Sequence, residues 1–403
     1  MTRSFFFTAG CLIDGIGGPS RRNVLVRVKK GIISSIRDAR DDDFAIPGLV
    51  DLSMYTVLPA MVDSHVHLFM SGTGDPSVRS AQLNAGFREI KDVIVRHLEQ
   101  QITHGVAAVR DGGDYAGHAL RYKKECLGSA GVPVLVKAAG RAWRAPGRYG
   151  RLIGRPPIMG LSLSEAIARE QGDSDHVKIV NSGLNSLTFF GKETPEQFSL
   201  GQLKAAVSAA RRLGLGTMVH ANGRLPVRLA IEAGCHSIEH GFFMGSENLK
   251  RMAERQVTWV PTAYTMGAYH LSLPPDSPER EVAKQNLEHQ LEQVSIARGY
   301  GVPVALGTDS GSLGVHHGAS VKGELRLLMR AGFSLEEAVK CATSNGATLL
   351  GLQEELGRLC PGMPATFLAT KGGGSCLPGA LETPEMVFIQ GEEWSPAPLP
   401  GRK

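Results

Sequence analysis

The chain has no run of 18 or more apolar residues, no C-x-x-C spacing among its six cysteines and no lysine- or arginine-rich block. Each absence excludes something. Without a long apolar run there is no candidate transmembrane helix. The opening Met-Thr-Arg-Ser-Phe-Phe-Phe has a short aromatic run but no hydrophobic signal region or cleavage site. The scattered thiols (Cys11, Cys126, Cys235, Cys341, Cys360, Cys376) fit reduced, mostly buried side chains in a cytoplasmic protein. A core built from 403 residues needs no disulfide. The formal charge of +5 comes without a basic tract, so nothing marks a nucleic-acid surface. What is present is ordinary for a globular protein: 42% hydrophobic and 21% charged residues. Neither nucleic acid nor membrane is expected as a partner; a small-molecule substrate and a homo-oligomer are.

Turn signals and short strand-like runs divide the chain. Residues 1–58 read as a small β unit, with strands at Phe5–Thr8, Asn23–Val28, Ile32–Ile36 and Leu49–Leu52. Alone it is too short for a core. Its complement lies at 356–403, where Thr366–Thr370 and Glu385–Gln390 read as strands, and both ends are expected to meet in one β-sandwich. Between them, over 59–355, strands and helices alternate, the pattern of parallel β/α units. The expected strands are Val57–His67, Val106–Asp111, Val132–Ala139, His176–Asn181, Gly216–Ala221, His236–His240, Val257–Thr262 and Val302–Asp309. Ser162-Leu-Ser-Glu165 and Ser334-Leu-Glu-Glu337 are capping boxes that open helices. Eight strands in this arrangement predict an α/β fold, a (β/α)8 TIM-like barrel.

Catalytic groups in such a barrel sit at the C-terminal strand ends. The first strand ends in His65-Val-His67, and residues i and i+2 of a strand share a face, so both imidazoles project together. The fourth carries Lys178, the fifth ends in His220, the sixth in His240 and the eighth in Asp309. Singly, His220 and His240 read as core histidines and Lys178 as a surface lysine. Together at one rim, the six residues read as a metal site, because imidazole suits zinc, iron or nickel.

His65-Val-His67, Lys178, His220, His240, Gly307-Thr-Asp309, Pro361-Gly362 and the N-terminal β unit resemble the amidohydrolase superfamily. The likeness is to the branch holding prolidase-like dipeptidases, metal-dependent carboxypeptidases and imidazolonepropionase relatives. It implies two divalent metals, with zinc expected and manganese or iron as alternatives. It also implies that Lys178 is carboxylated and bridges them, His65, His67 and Asp309 holding one metal and His220 and His240 the other. A metal-bridging hydroxide would then be the nucleophile and Asp309 the general base and acid. An unmodified ammonium cannot ligate a cation, whereas a carbamate offers two anionic oxygens.

Two stretches depart from that pattern. Pro146-Gly-Arg-Tyr-Gly150 stands where the dipeptidase branch has Gly-Gly-His-Gly, and His220-Ala-Asn-Gly223 where it has His-Ala-His-Gly. Asn222 therefore replaces a substrate-side histidine. Arg141, Arg144, Arg148, Arg151 and Arg155 crowd one loop with Trp143 and Tyr149. The loop reads as an anion- or aromatic-binding wall, with Arg144 and Arg148 gripping a carboxylate, as a solvated basic loop, or as a segment that pairs with Asp and Glu of a second subunit. Thr262 and Tyr264 read as pocket residues or as a hydrogen-bonded strand end, and His317 as structural. The substrate-binding candidates are thus Arg144, Arg148, Tyr149, Asn222 and Tyr264. The expected activity is metal-dependent cleavage of amide or related C–N bonds in a small, carboxylate-bearing substrate, a dipeptide or N-acyl amino acid. Cyclic-amide opening or heterocycle deamination is the alternative, and a non-catalytic scaffold the third reading.

Overall fold

The structure, a computed structural model, describes residues 4–128 and 131–395. Strands β1 (Phe5–Leu12), β2 (Arg21–Lys29) and β3 (Ile32–Asp38) form an antiparallel meander. In β2, Val24, Val26 and Val28 are buried while Arg27 and Lys29 are exposed, so the second half alternates; Leu25 is buried on the other face. Strand β4 (Tyr55–Pro59) runs parallel to β1, and β5 (Met61–Val66) follows almost at once.

The expected single strand Val57–His67 is therefore two. Ala60 N donates to Thr366 O, whereas Met61 N donates to Gly105 O, so the backbone changes sheets between these residues. The run is apolar throughout because both halves are buried, and that hides the change of partner.

The centre of the chain continues through α1 (Pro76–Asn84), α2 (Phe87–Thr103), β6 (Val106–Asp111), α3 (His118–Glu125) and β7 (Leu135–Ala138). Two short strands, β8 (Ala142–Trp143) and β9 (Gly154–Arg155), precede α4 (Leu163–Glu170) and β10 (His176–Val180). Then come α5 (Leu200–Arg212), β11 (Gly216–Ala221), α6 (Arg224–Ala233), β12 (Ser237–His240), α7 (Ser246–Arg255) and β13 (Thr258–Val260). Helices α8 (Tyr264–Ser272), α9 (Pro278–Tyr300), α10 (Val321–Arg330), α11 (Leu335–Ala342) and α12 (Ser344–Leu350) follow. Strands β5, β6 and β7 form one parallel sheet, and β13, β12, β11, β10, β8 and β9 another. Every residue of β5, β6 and β10 is buried, as parallel strands covered on both faces require. Both anticipated capping boxes are formed, Ser162 with Glu165 and Ser334 with Glu337.

Residues 304–310 make no continuous strand. Single bridges join Val304 to Trp259 and Ser310 to Val66, and Asp309 N donates to His65 O at 2.7 Å. The segment thus touches β13 on one side and β5 on the other. Asp63, buried in β5, reinforces it by accepting from Thr308 N and Thr308 Oγ1 at 2.9 and 2.5 Å.

Near the end, β14 (Phe367–Lys371), β15 (Met386–Ile389) and β16 (Glu392–Trp394) complete a seven-stranded sheet ordered β16-β15-β14-β4-β1-β2-β3. The two ends of the chain do meet, in this single sheet. Its Phe7 and Phe388 rings stack on Phe367 at 4.7 and 4.6 Å, which explains the aromatic run at the N-terminus. Among the described residues no helix is long and apolar enough to cross a membrane. All six cysteines are free, four of them buried.

Candidate metal centre

The C-terminal ends of β5, β10, β11, β12 and the 304–310 segment converge. His65 Nε2 and His67 Nε2 lie 3.5 and 3.4 Å from Asp309 Oδ1. Lys178 Nζ is 3.5 Å from His65 Nε2, and the Lys178 side chain is fully buried. The His240 ring centroid lies 5.0 Å from that of His65 and 4.6 Å from that of His220. All six residues that the sequence singled out as ligands are therefore neighbours.

Each histidine is held by one ring nitrogen, and in His65 and His67 the other faces Asp309. His65 Nδ1 donates to Glu239 Oε2 at 2.8 Å, His67 Nδ1 to Gly113 O at 2.9 Å and His220 Nε2 to Gly183 O at 3.1 Å. His240 Nδ1 lies 2.7 Å from Thr262 Oγ1. Such outer hydrogen bonds fix the tautomer and orientation of metal-binding imidazoles. Gly112 leaves the room they need: a Cβ there would stand 2.8 Å from His67 Cε1. His240, Thr262 and Asp309 hold φ of 67°, 47° and 60°, the left-handed region that non-glycine residues rarely enter. Strain of this kind persists where the surrounding structure enforces it.

The electrostatics point the same way. Burial pushes His65, His67, His220 and His240 toward their neutral forms, and Lys178 adds to this in each. Neutral imidazole is the metal-binding form. Burial likewise drives Lys178 toward the neutral amine, opposed by Glu239 and Asp309. It raises Asp309 above the ordinary carboxylate range, against the Ser312 hydroxyl and Lys178. Three nitrogen or oxygen donors within 4.8 Å of one another, His65, His67 and Asp309, fit a divalent ion.

Residues 56–393 match the profile of the Amidohydrolase family. The chain belongs to that family. The amidohydrolase fold is shared with a solved Xaa-Pro dipeptidase that has methionine bound in its active site: TM-score 0.82, 24% identity, 98% of this chain and 100% of that one. By sequence the chain is 23% identical over 359 residues to imidazolonepropionase of Aliivibrio salmonicida, covering 80% of this chain and 79% of that one. It is 30% identical over 177 residues to ochratoxinase of Aspergillus niger, 43% of this chain and 36% of that one. These relatives are hydrolases, as is this amidohydrolase, and the family is generally metal-dependent.

A cavity of about 240 Å³ opens over the six candidate ligands. Tyr149 and Asn222, both singled out from sequence, line it; Arg144, Arg148 and Tyr264 do not. Arg144 Nη1 donates to Ala145 O and Arg148 O within its own loop, and Arg148 Nη2 donates to Pro195 O and Glu196 O in the segment before α5, so both guanidiniums brace backbone. Arg155 pairs with Glu170. The Tyr264 ring packs on Gly323 and its backbone N–H donates to Glu324. Tyr149 lies 5.4 Å, ring to ring, from His220, and burial followed by the Asp309 charge pushes its phenol up. Asn222 Nδ2 donates to Gly183 O, the same carbonyl that holds His220. His317 stacks on His97 at 4.0 Å and its Nε2 lies 3.0 Å from Met70 O.

A larger cleft of about 650 Å³ lies at the opposite, N-terminal ends of the strands, and none of the six candidate ligands borders it. Its Arg211 and Arg255 donate to Gly234 O and Ile231 O, closing the end of α6.

Sequence reading missed the ion pair beneath the cluster. Arg110 Nη2 donates to Glu239 Oε1 at 2.8 Å, and Ser237 Oγ donates to the same oxygen at 2.5 Å. Both charged residues are buried. The signal was available: one arginine and one glutamate inside strands of otherwise apolar or small residues. Glu239→Gln is expected to weaken metal binding ~10–100-fold, because the amide holds His65 without the charge that raises its basicity. It also leaves Arg110 without its counter-charge, a loss on the order of 3 kcal/mol. Metal titration and thermal unfolding check both, and an unchanged metal affinity would remove Glu239 from the site.

Proposed function

We propose that the protein is a binuclear metal-dependent amidohydrolase that cleaves the amide bond of a small carboxylate-bearing substrate, a dipeptide or N-acyl amino acid. The supporting observation is the convergence of His65, His67 and Asp309 on one point with the Lys178 amine beside them. In this reading His65, His67 and Asp309 hold one divalent metal, zinc before manganese or iron, and His220 and His240 the second. A carboxylated Lys178 would supply anionic oxygens to them. The metals would supply a water of lowered pKa and polarise the scissile carbonyl.

The remaining work falls to the chain. Glu239, Gly113 O and Gly183 O orient the imidazoles. Asp309 takes the proton of the attacking water and returns it to the leaving nitrogen. Tyr149 and Asn222 stand over the His220 side, placed to contact the acyl group. The mostly apolar walls, among them Phe69, Leu187, Phe242 and Met266, exclude water and favour an apolar acyl part.

The reading includes a (β/α)8 barrel closed through residues 304–310 over 59–355, flanked by a β unit of 1–58 and 356–403, in a cytoplasmic homo-oligomer. The contacts of residues 304–310 with both Trp259 and His65 support closure. A cyclic-amide substrate is the second reading, favoured by the likeness to imidazolonepropionase.

Metal content and a substrate panel test the proposal together. About two equivalents of metal per chain, with hydrolysis of dipeptides or N-acyl amino acids by the zinc- or manganese-loaded enzyme, is the expected result. One equivalent with cyclic amides as the only substrates would shift the assignment to the second reading. A metal-free protein inert after loading would mean a non-catalytic scaffold.

A further inference from the structure

We infer that Arg79 is the anion receptor of the active-site cavity and takes the free carboxylate of the amino acid that leaves. The inference rests on the amide-hydrolase reading above and goes further, since it fixes the residue, the direction in which substrate lies and the class of leaving group.

Arg79 sits in the first turns of α1, a helix started firmly by Pro76 and by Asp75, whose Oδ1 accepts from Ser77 N and Val78 N. Its Nη1 donates to Ser71 O at 2.9 Å and to Gly311 O at 3.2 Å. Ser71 lies in the loop after His67, and Gly311 is two residues past Asp309. These bonds pin the guanidinium against the two loops that carry one half of the candidate ligand set. They use one nitrogen. Nε and Nη2 have no hydrogen-bond partner among the described residues, and Arg79 makes no ion pair among them. That free edge is the fork that takes a carboxylate in two parallel hydrogen bonds.

Apart from Lys178 in its floor, Arg79 is the cavity's basic side chain besides the histidines. Arg79 is half-buried, and that partial burial disfavours its charge, so an anionic ligand in the cavity would offset the cost. Tyr269 of α8 lines the same cavity as Arg79 and Asp309. The apolar wall comes from other segments: Leu152 and Ile153 before and in the turn to β9, and Leu184 and Leu187 after β10.

Chemistry links the two ends. Asp309 must deliver a proton to the leaving nitrogen. In an amino-acid leaving group the α-carboxylate hangs one carbon from that nitrogen. A carboxylate receptor braced on the Asp309 loop is therefore where such a group would put its charge, with the acyl part toward Leu152 and Leu184. The arrangement selects against substrates whose C-terminus is amidated or continued as a peptide.

Arg79 also ties two loops together, so the test must separate recognition from scaffolding. Calorimetric titration of the metal-loaded full-length protein would compare three probes of one shape: 4-phenylbutyrate, 4-phenylbutanamide and 4-phenylbutylamine. The wild type should bind the acid on the order of 10–100-fold more tightly than the amide, the scale of charge-assisted hydrogen bonds. Arg79→Met should erase the preference, Arg79→Lys should keep part of it and Arg79→Glu should turn it toward the amine. No purely structural role produces that inversion. Equal binding of acid and amide by the wild type overturns the inference even if a variant fails to fold. So does a preference that survives in Arg79→Met, which would place the carboxylate on the metals. Hydrolysis of N-benzoyl-leucine and of its primary amide is scored separately. No cleavage with the binding preference intact removes the proposed reaction and keeps the receptor. Cleavage of both at the same kcat/KM removes the receptor and keeps the reaction.

Discussion

Replacing Lys178 with alanine is expected to abolish nearly all activity and to release one of the two metals proposed for the site. The side chain is fully buried, with its amine 3.5 Å from His65 Nε2 and no ion pair among the described residues. An uncompensated buried ammonium is costly. Set among four imidazoles it would also repel any cation they bind. In the proposed reading, reaction of the neutral amine with CO2 would form an N–C bond, release a proton and turn that liability into an anionic ligand. Alanine would remove that ligand and leave a small void at the bottom of the cavity. Lewis-acid stabilisation of several kcal/mol is at stake, which corresponds to about 10³-fold in rate. Metal analysis alongside kcat/KM is the measurement. Acetate or propionate, small enough to enter the void, should restore part of both. A variant that keeps two metals and wild-type turnover would end the binuclear reading.

The six clustered positions were legible in the sequence for a physical reason. A titratable residue within or just after an apolar run has no packing role to explain it, and the expected strands carried all six toward one rim. Helix starts were legible because a Ser with Glu three residues on is a local signal, and both boxes form as written. What was not local was not legible. The change of sheet at Ala60 depends on which distant carbonyl accepts each N–H, Thr366 O or Gly105 O. The expected strand Val302–Asp309 is instead held by isolated bridges and by Asp63, a partner more than 240 positions away. Glu239 and Arg110 come together only when β6 and β12 face each other across the strand array.

Charge density was a poor guide to the cavity for the same reason. The five arginines from Arg141 to Arg155 drew attention because they are crowded. Of these, Arg144 and Arg148 bond to backbone carbonyls of irregular segments and Arg155 to Glu170. Arginines that brace nearby backbone or pair with a carboxylate need no ligand. Arg79, isolated in the sequence between Val78 and Ser80, borders the cavity because α1 folds back across the Asp309 loop.

Asp309→Asn should cost catalysis far more than folding. The residue holds φ of 60°, and asparagine enters this left-handed region as readily as aspartate, so the backbone can stay as it is. The amide is nearly isosteric and keeps one oxygen, able to remain where Oδ1 now lies, 3.5 and 3.4 Å from His65 Nε2 and His67 Nε2. On the other side Ser312 Oγ, which donates to Oδ2 at 2.9 Å, can rotate to accept from the new NH2 group. What the amide cannot do is take a proton and give it back. General acid–base catalysis contributes ~10²–10⁴-fold, and that is the expected fall in kcat. Because the transfer occurs in the transition state, kcat/KM should fall in parallel and KM should stay near the wild-type value. Melting temperature and metal content are read on the same samples. A normal kcat with full metal would take Asp309 out of proton transfer. A loss of metal that accounts for the loss of rate would make it a ligand first, and the proton would then have to travel through another group at the cavity floor.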